Sequence, residues 1–427
     1  MSPQTATPRH AARPASPIGA PVRPHPRPHP RSTRRLPLGH GSGFRVIAFA
    51  FLVAMAFTAV PAPLWALYQA REGFSTFMVT VAFAAYAVGV VVSLFLAGHL
   101  SDRLGRRRVL LPAVIVEALA AVMFLTSTSL GVVIAARVVS GLGIGMITAT
   151  ATAHLSELHA AARPRAGRGR SDLVSTTANM GGFAVGPLVS GLLAQYAGAP
   201  LRTPYLVFLG LLLLAAAGVA LVPETVEPAG ERPAYRPQRV TVPAASRPAF
   251  FAACGATLAA FAVLGLFTSL GPVFVAGTMH HPSRALAGLV PFLVFGSAAG
   301  AQAVLLRVAA RRQLAIGLTA MVLGLAAVTA AVWLPGLGLF VAGGMAAGAG
   351  AGVLFKGTVS TVVTLAEPRR RGEALAGLFL AAYIGLAVPV LGLGVGTLYV
   401  PQRVALLGFA AALVAICASV SHRLLRR

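Results

Sequence analysis

The stretch GHLSDRLGRRR at residues 98–108 decides how this chain is organised. It places four arginines and one aspartate between two long apolar runs. A bilayer core about 30 Å thick needs roughly 20 apolar residues per helix, and working outward in both directions we find twelve such runs. Because backbone amides inside a bilayer cannot bond to water, every run is predicted to be a helix.

The predicted spans fall into two sets of six. Their centres lie near Ala54, Val88, Ala118, Gly143, Val185 and Leu212, and near Phe261, Phe295, Met321, Gly350, Leu386 and Ala411.

The composition excludes a soluble globular protein. The 427 residues carry a net charge of +25, yet only 11% are charged and 57% are hydrophobic, whereas about a quarter of the residues are charged in soluble domains. Because the arginines lie in clusters between apolar runs, they indicate a bilayer rather than nucleic acid. Cys254 and Cys417 lie in apolar runs, which disfavours a disulfide framework or a metal site. No metal and no cofactor are predicted.

The predicted fold is an all-α membrane protein with twelve transmembrane helices in two pseudo-symmetric six-helix bundles. Residues 1–45, with ten prolines and eight arginines, are predicted to be a disordered cytoplasmic tail. Residues 46–222 and 249–427 form the two bundles, the second ending in a short basic tail, and residues 223–248 form a cytoplasmic linker.

Matching residues in the two sets of six support an internal repeat. Arg202 precedes the sixth span and Arg403 the twelfth, while Pro187 lies in the fifth span and Pro389 in the eleventh. Two parallel six-helix halves are a known transporter plan, with the substrate pathway between them.

The distribution of basic residues predicts the orientation. Cytoplasmic loops retain Lys and Arg. If the N-terminus lies inside, only four of the 35 basic residues fall in the outer loops: Arg71, Arg202, Arg284 and Arg403. The chain is therefore predicted to be a multi-pass cell-membrane protein with both termini in the cytoplasm.

Residues 98–108 resemble the signature loop of the major facilitator superfamily. The resemblance implies a conformational latch formed by Gly98, Asp102, Arg103, Gly105, Arg106 and Arg107. Asp102 would interact with the N-terminal dipole of span eleven, near Gly372, while the arginines face anionic lipid and the cytosol. The alternative is a loop that only fixes topology.

A second resemblance lies in span four. The segment from Arg137 to Gly145, RVVSGLGIG, is similar to an element of proton-coupled members of the superfamily. A charged residue within a span is costly and needs a partner or water. The alternative is that Arg137 extends to the membrane surface.

Span five resembles the antiporter signature of the same superfamily. Its matching positions are Gly182, Gly186, Pro187 and Gly191, with Ser190 in place of one glycine. Small residues permit close helix contacts and proline bends the helix. Generic close packing is the alternative.

Glu117 is the one acidic residue predicted near mid-depth of a span. Burial disfavours its charged form, so the carboxyl could hold and release a coupling proton. A pairing with Arg137 is possible if the long side chain reaches inward. The alternative is a permanently protonated residue with a packing role.

Aromatic residues of the first two spans suggest a substrate cavity. Phe57, Phe83 and Tyr86 are candidates to line it, whereas Trp65 and Tyr68 are predicted to be anchors at the membrane interface. Lys356 is predicted to extend to the surface, and His99 and His154 to be surface histidines.

The function that follows is a secondary transporter of small molecules, not an enzyme. Resemblance to drug:proton antiporters implies export of hydrophobic compounds in exchange for protons. Span one lacks the acidic residue that many cation exporters carry, which favours neutral or anionic compounds. A proton-coupled importer of a sugar or organic acid is the alternative. The expected partners are substrate, protons and anionic lipid but not nucleic acid, and the protein is predicted to be monomeric.

Overall fold

The computed structural model describes residues 38–97, 100–167, 169–226, 240–305, 307–367 and 370–425. The N-terminal tail up to residue 37 and residues 227–239 of the linker lie outside the described residues, as do Gly98 and His99. All regular structure in the described part of the chain is helical.

Twelve described helices are long and apolar enough to cross a membrane. Each contains the centre of one predicted span, which confirms the predicted fold class. In chain order they are α1 His40–Ala59, α2 Thr76–Ala97, α3 Arg106–Thr126, α4 Leu130–Ala162, α5 Gly169–Tyr196, α6 Thr203–Ala220, α7 Arg247–Ser269, α8 Arg284–Val304, α9 Ala310–Trp333, α10 Leu337–Leu365, α11 Arg371–Gly396 and α12 Gln402–Leu425. We call the face where α1 begins and α12 ends the terminal face, and the opposite one the distal face.

The start of α1 corrects one predicted boundary. The tail was predicted to extend to residue 45, but α1 begins at His40. Phe44 is buried and its ring centroid lies 5.6 Å from that of His159 on α4. This tertiary contact stabilises a first turn that contains two glycines, which sequence propensity alone disfavours.

The two halves repeat the same packing pattern. In the first half α1 contacts α4, α5 and α6, while α4 contacts α2 and α3, and α3 contacts α6. In the second half α7 contacts α10, α11 and α12, while α10 contacts α8 and α9, and α9 contacts α12. Adding six to each helix number of the first set gives the second, so the repeat extends from the sequence to the helix contacts.

The halves meet closely at the distal face. Gly288, near the start of α8, lies against the Pro187 carbonyl and Gly191 of α5. Gly394, near the end of α11, lies against Thr80 near the start of α2. A Cβ at either glycine would overlap its neighbour, so these small residues allow the distal ends of the helices to close.

Helix α1 breaks inside the membrane region. Pro61 has no N–H, and the chain continues as a 3-10 turn over Ala62–Leu64 and a helix over Trp65–Glu72. Side chains from other helices bind carbonyls at the break: Arg137 Nη1 donates to Thr58 O at 2.6 Å, and Ser190 Oγ donates to Val60 O at 2.8 Å. Side chains of two other helices therefore satisfy two backbone carbonyls of the break.

We expect Ser190→Ala to destabilise the fold by about 1–3 kcal/mol, because Val60 O would remain buried without its donor. Thermal unfolding of the purified protein would show a lower midpoint than the wild type. Ser419→Ala removes an exposed hydroxyl that binds only its own helix and serves as the control. Equal midpoints for the two variants would contradict this account.

We expect cysteines at positions 80 and 394 to cross-link on mild oxidation. The position of a Gly394 Cβ lies 2.9 Å from Thr80 Cβ, so a shift of about 1 Å reaches the usual Cβ separation of a disulfide. The variant Thr80→Cys/Gly394→Cys, made with Cys254→Ser and Cys417→Ala, should lose reactivity toward a maleimide that adds mass. The control Asp102→Cys/Gly372→Cys, on the terminal face, should cross-link more slowly. Faster cross-linking of the Asp102→Cys/Gly372→Cys pair than of the Thr80→Cys/Gly394→Cys pair would contradict closure at the distal face.

Candidate functional site

The loop between α2 and α3 turns at Gly105, whose φ of +106° favours glycine. Asp102 forms an ion pair with Arg106, and the Asp102 side chain is 64% exposed. The Cβ position of Gly372 at the start of α11 meets nothing within 4 Å. In this conformation, Asp102 binds its own loop instead of the predicted partner helix.

Sequence analysis missed a residue that holds this loop. Glu224 follows α6 and accepts hydrogen bonds from the backbone N–H groups of Arg106 at 2.7 Å and Arg107 at 3.2 Å. Its carboxylate thus caps the N-terminus of α3, where negative charge is favoured. The signal in the sequence is an acidic residue two positions after Val222, the last apolar residue of span six, and it falls within the predicted linker.

A second carboxylate ties the same loop to α4. Glu157 binds Arg106, with Oε1 at 2.8 Å from Nη2, and accepts from Thr225 Oγ1 at 2.5 Å. His154 was predicted to be a surface residue, and this is wrong: it is buried, with Nε2 at 3.2 Å from Pro223 O. The described beginning of the linker is therefore fixed to the first bundle.

Glu117 is fully buried between α3 and α4. Ser140 Oγ donates to Glu117 Oε2 at 2.9 Å, while Oε1 has no hydrogen-bond partner among the described residues. Gly143 provides the space, because a Cβ there would lie 2.6 Å from Oε1. Two members of the span-four element thus surround the carboxyl group that the sequence singled out.

Arg137 faces the protein interior, so the alternative in which it extends to the membrane surface is wrong. It is 3% exposed, and its guanidinium carbon lies 4.5 Å from the ring centroid of Tyr86 and 5.7 Å from that of Phe83. The guanidinium donates to Thr58 O. Among the described residues, Arg137 and Glu117 form no ion pair within 4 Å. Arg137 therefore binds the carbonyl at the break in α1 rather than Glu117, because an unpaired backbone carbonyl in a membrane is costly.

Arg137 also borders a small central cavity of about 20 Å³, which has room for about one water molecule. Phe83 and Tyr86 line it, together with Trp65 of the first half and Thr268 and Leu386 of the second. Residues from both halves therefore meet at this point.

Three aromatic predictions need correction. Phe57 does not line the cavity and instead packs against Phe124 and Phe208, with ring centroids 6.4 Å away in both cases. Trp65 and Tyr68 are 1% and 0% exposed, so neither is an interface anchor. Trp65 Nε1 donates to Thr268 O at 3.3 Å, and the Tyr68 hydroxyl lies 3.2 Å from that of Tyr205. The break in α1 turns its second part inward, which helical periodicity did not reveal.

The glycines of the antiporter-like element contact two different helices. Gly182 and Gly186 lie against α1, and Gly191 lies against α8 of the other half. Ser190, between them, binds the break in α1. Helix α5 therefore contacts both the break in α1 and helix α8 of the second half.

Lys356 remains partly exposed and reaches a backbone carbonyl of α8. Its Nζ donates to Gln302 O at 3.3 Å.

We expect Gly143→Ala to displace the Glu117 carboxyl and to destabilise the protein by about 1–3 kcal/mol, as overpacking does. Thermal unfolding would show a lower midpoint, whereas Gly210→Ala, at an exposed helical position with nothing within 4 Å of the added Cβ, should not. In a double-mutant cycle, Glu117→Ala should relieve most of the Gly143→Ala penalty. Additive effects would mean that the methyl group clashes elsewhere.

Comparisons with known proteins agree with this architecture. Two curated relatives from Bacillus subtilis (strain 168) are an arabinose-proton symporter, 36% identical over 83 residues, and a bacillibactin exporter, 27% identical over 139 residues. These matches cover 19% and 31% of this chain and only 18% and 34% of the relatives.

A solved structure of similar fold is a bacterial homologue of the human lysosomal transporter Spinster in an inward-facing, unoccupied conformation. The TM-score is 0.69 at 12% identity, covering 91% of this chain and 97% of that one. The sequence profile of the Major Facilitator Superfamily matches residues 47–334. The chain with the broken α1, the closed distal contacts and the buried acid belongs to the major facilitator superfamily of membrane transporters.

Proposed function

We propose that this transporter is proton-coupled and exports small hydrophobic molecules in exchange for protons, by alternating access between its two halves. The observation that carries the proposal is Glu117, a fully buried carboxyl group whose Oε1 has no hydrogen-bond partner among the described residues. Its other oxygen is held by Ser140, three residues after Arg137 on α4. An acid within a membrane-spanning bundle is a candidate proton carrier.

The neighbours of Glu117 suggest how its proton could affect the substrate pathway. When Glu117 is protonated, Arg137 can remain bound to Thr58 O and close to the rings of Phe83 and Tyr86. When the proton leaves, the new negative charge attracts the guanidinium, since opposite charges in a low-dielectric interior interact strongly. A shift of Arg137 would release the break in α1 and change the wall of the cavity.

The cavity lining favours apolar substrates that are neutral or anionic. Trp65, Phe83, Tyr86, Phe183 and Leu386 supply apolar or aromatic surface, and Arg137 is the charged residue in the described lining. A cation would be repelled by it. Because the cavity is nearly filled in this conformation, a substrate would enter only after the halves move apart.

The proposed sides of the membrane follow from the arginine distribution. The terminal face is rich in basic residues and is assigned to the cytoplasm of a cell-membrane protein. The exposed Asp102 is then a latch in its released state, and we propose that it reaches the α11 N-terminus, together with its loop, when the distal face opens. We propose that the protein is a monomer whose two bundles are joined by the linker over residues 223–248.

A second candidate is a proton-coupled importer of a metabolite such as a sugar or organic acid. It is favoured by the local similarity to the arabinose-proton symporter, whereas the antiporter-like element in α5 and the local similarity to the bacillibactin exporter favour export. The two candidates share Glu117 and differ in the relative direction of substrate and proton movement.

We expect Glu117→Gln to abolish substrate-linked proton movement, because the amide cannot take up or release a proton at neutral pH. Proteoliposomes containing a pH-sensitive dye would be given a panel of neutral and anionic fluorescent hydrophobic compounds, and separately sugars and organic acids. Glu72→Gln, at an exposed acidic residue at the distal end of the broken first helix, is the matched control and should retain proton coupling. Wild-type coupling in the Glu117 variant would remove this residue from the mechanism.

We expect an imposed proton gradient to drive the hydrophobic compound in the direction opposite to the protons. Vesicles with the terminal face outward and an acidic lumen should accumulate the compound, and collapsing the gradient with an ionophore should stop it. Movement of a sugar or organic acid with the protons would favour the importer, and facilitated movement unaffected by the gradient would refute proton coupling.

A further inference from the structure

A second cavity lies at the terminal face, far from the central site along the helices. It has a volume of about 260 Å³ and is lined by the start of α1, the end of α4 and the start of α5. Its lining includes Gly41, Phe44, Arg45, His159, Arg163 and Arg170. We call it the arginine cavity. All three helices belong to the first half.

The three arginines of this cavity are exposed and are not paired with a carboxylate in the described part of the chain. Arg45, Arg163 and Arg170 form no ion pair within 4 Å with any described carboxylate. Asp172, the nearest carboxylate along α5, does not line the cavity. The 37 residues that precede the described chain contain arginines and no Asp or Glu, so that segment cannot supply a carboxylate side chain.

A buried histidine and a helix start add to the site. His159 is 5% exposed, and its Nε2 has no hydrogen-bond partner among the described residues, although buried polar atoms are normally paired. The N-cap of α1 is Gly39, which has no side chain that could cap the first turn, and the Cβ position of Gly41 meets nothing within 4 Å. The free N–H groups of the first turn can therefore approach an anion.

We propose that the arginine cavity binds a phosphate group, supplied either by the headgroup of an anionic phospholipid or by a free phosphate. Guanidinium groups bind phosphate oxygens through paired, charge-assisted hydrogen bonds. The partial positive charge at the start of α1 has the same effect. The apolar wall at Phe44 and the position at the membrane surface suit the glycerol side of a phospholipid headgroup. This site is independent of the proposed direction and proton coupling of transport.

The test uses the full-length protein in nanodiscs at constant ionic strength. In discs of phosphatidylcholine alone, inorganic phosphate is titrated and the thermal midpoint is recorded. In a second arm, the protein is released from discs containing equal amounts of phosphatidylglycerol and phosphatidylcholine, and retained lipid is counted by native mass spectrometry. Each variant is compared with its own ligand-free midpoint, so a less stable variant remains informative.

We expect Arg163→Gln and Arg170→Gln to weaken binding by about tenfold or more, which is typical of the loss of a charged hydrogen bond. Arg165→Gln removes the same charge from the same loop but at a position outside the cavity lining, and should change binding by less than about twofold. If a glutamine variant fails to fold, Arg163→Lys and Arg170→Lys keep the charge but lose the paired geometry, and should still weaken binding.

The two arms identify the source of the phosphate. A midpoint shift with inorganic phosphate supports a free-phosphate site, and selective retention of phosphatidylglycerol without that shift supports a headgroup site. The proposal is wrong if the wild type responds to neither probe. It is also wrong if Arg165→Gln weakens binding as much as the cavity variants, because general surface charge would then explain the effect.

Discussion

The structure depends on how the broken backbone of α1 is satisfied within a membrane. Pro61 interrupts the helix, and carbonyls at the break would be buried without donors. Arg137 from α4 and Ser190 from α5 supply those donors. The three helices are consequently linked at the centre of the first half, and the break directs Trp65 toward the second half, where it binds Thr268 O.

The same arrangement gives Arg137 its place beside the cavity and leaves Glu117 without a direct ionic partner. A direct pair would neutralise both charges but would leave Thr58 O without its donor. Ser140 and the space at Gly143 instead hold the carboxyl close enough to influence Arg137 electrostatically. Under the proposed function, this buried acid and its neighbouring cation act as a two-position device, because protonation of Glu117 would change which partner Arg137 prefers.

Different interactions hold the two faces of the described structure. At the distal face, glycines on α8 and α11 bring the helices into direct contact. At the terminal face, Asp102 is occupied by Arg106, while Glu224 and Glu157 fix the loop to its own bundle. Contacts between the halves at the distal face, with a loop network held within one half at the terminal face, are what the proposed alternating access would need.

The sequence by itself determined the twelve spans and the internal repeat, because the membrane imposes length and apolarity on every helix. It also singled out Glu117 and Arg137, since ionisable residues in a span are rare. Only the tertiary structure decided their partners: hydrogen bonds between helices depend on rotation and depth, which a one-dimensional pattern does not contain. For that reason Phe57, Trp65, Tyr68 and His154 were misplaced, and the cap formed by Glu224 went unnoticed. Contacts between residues far apart in sequence form only when the helices pack.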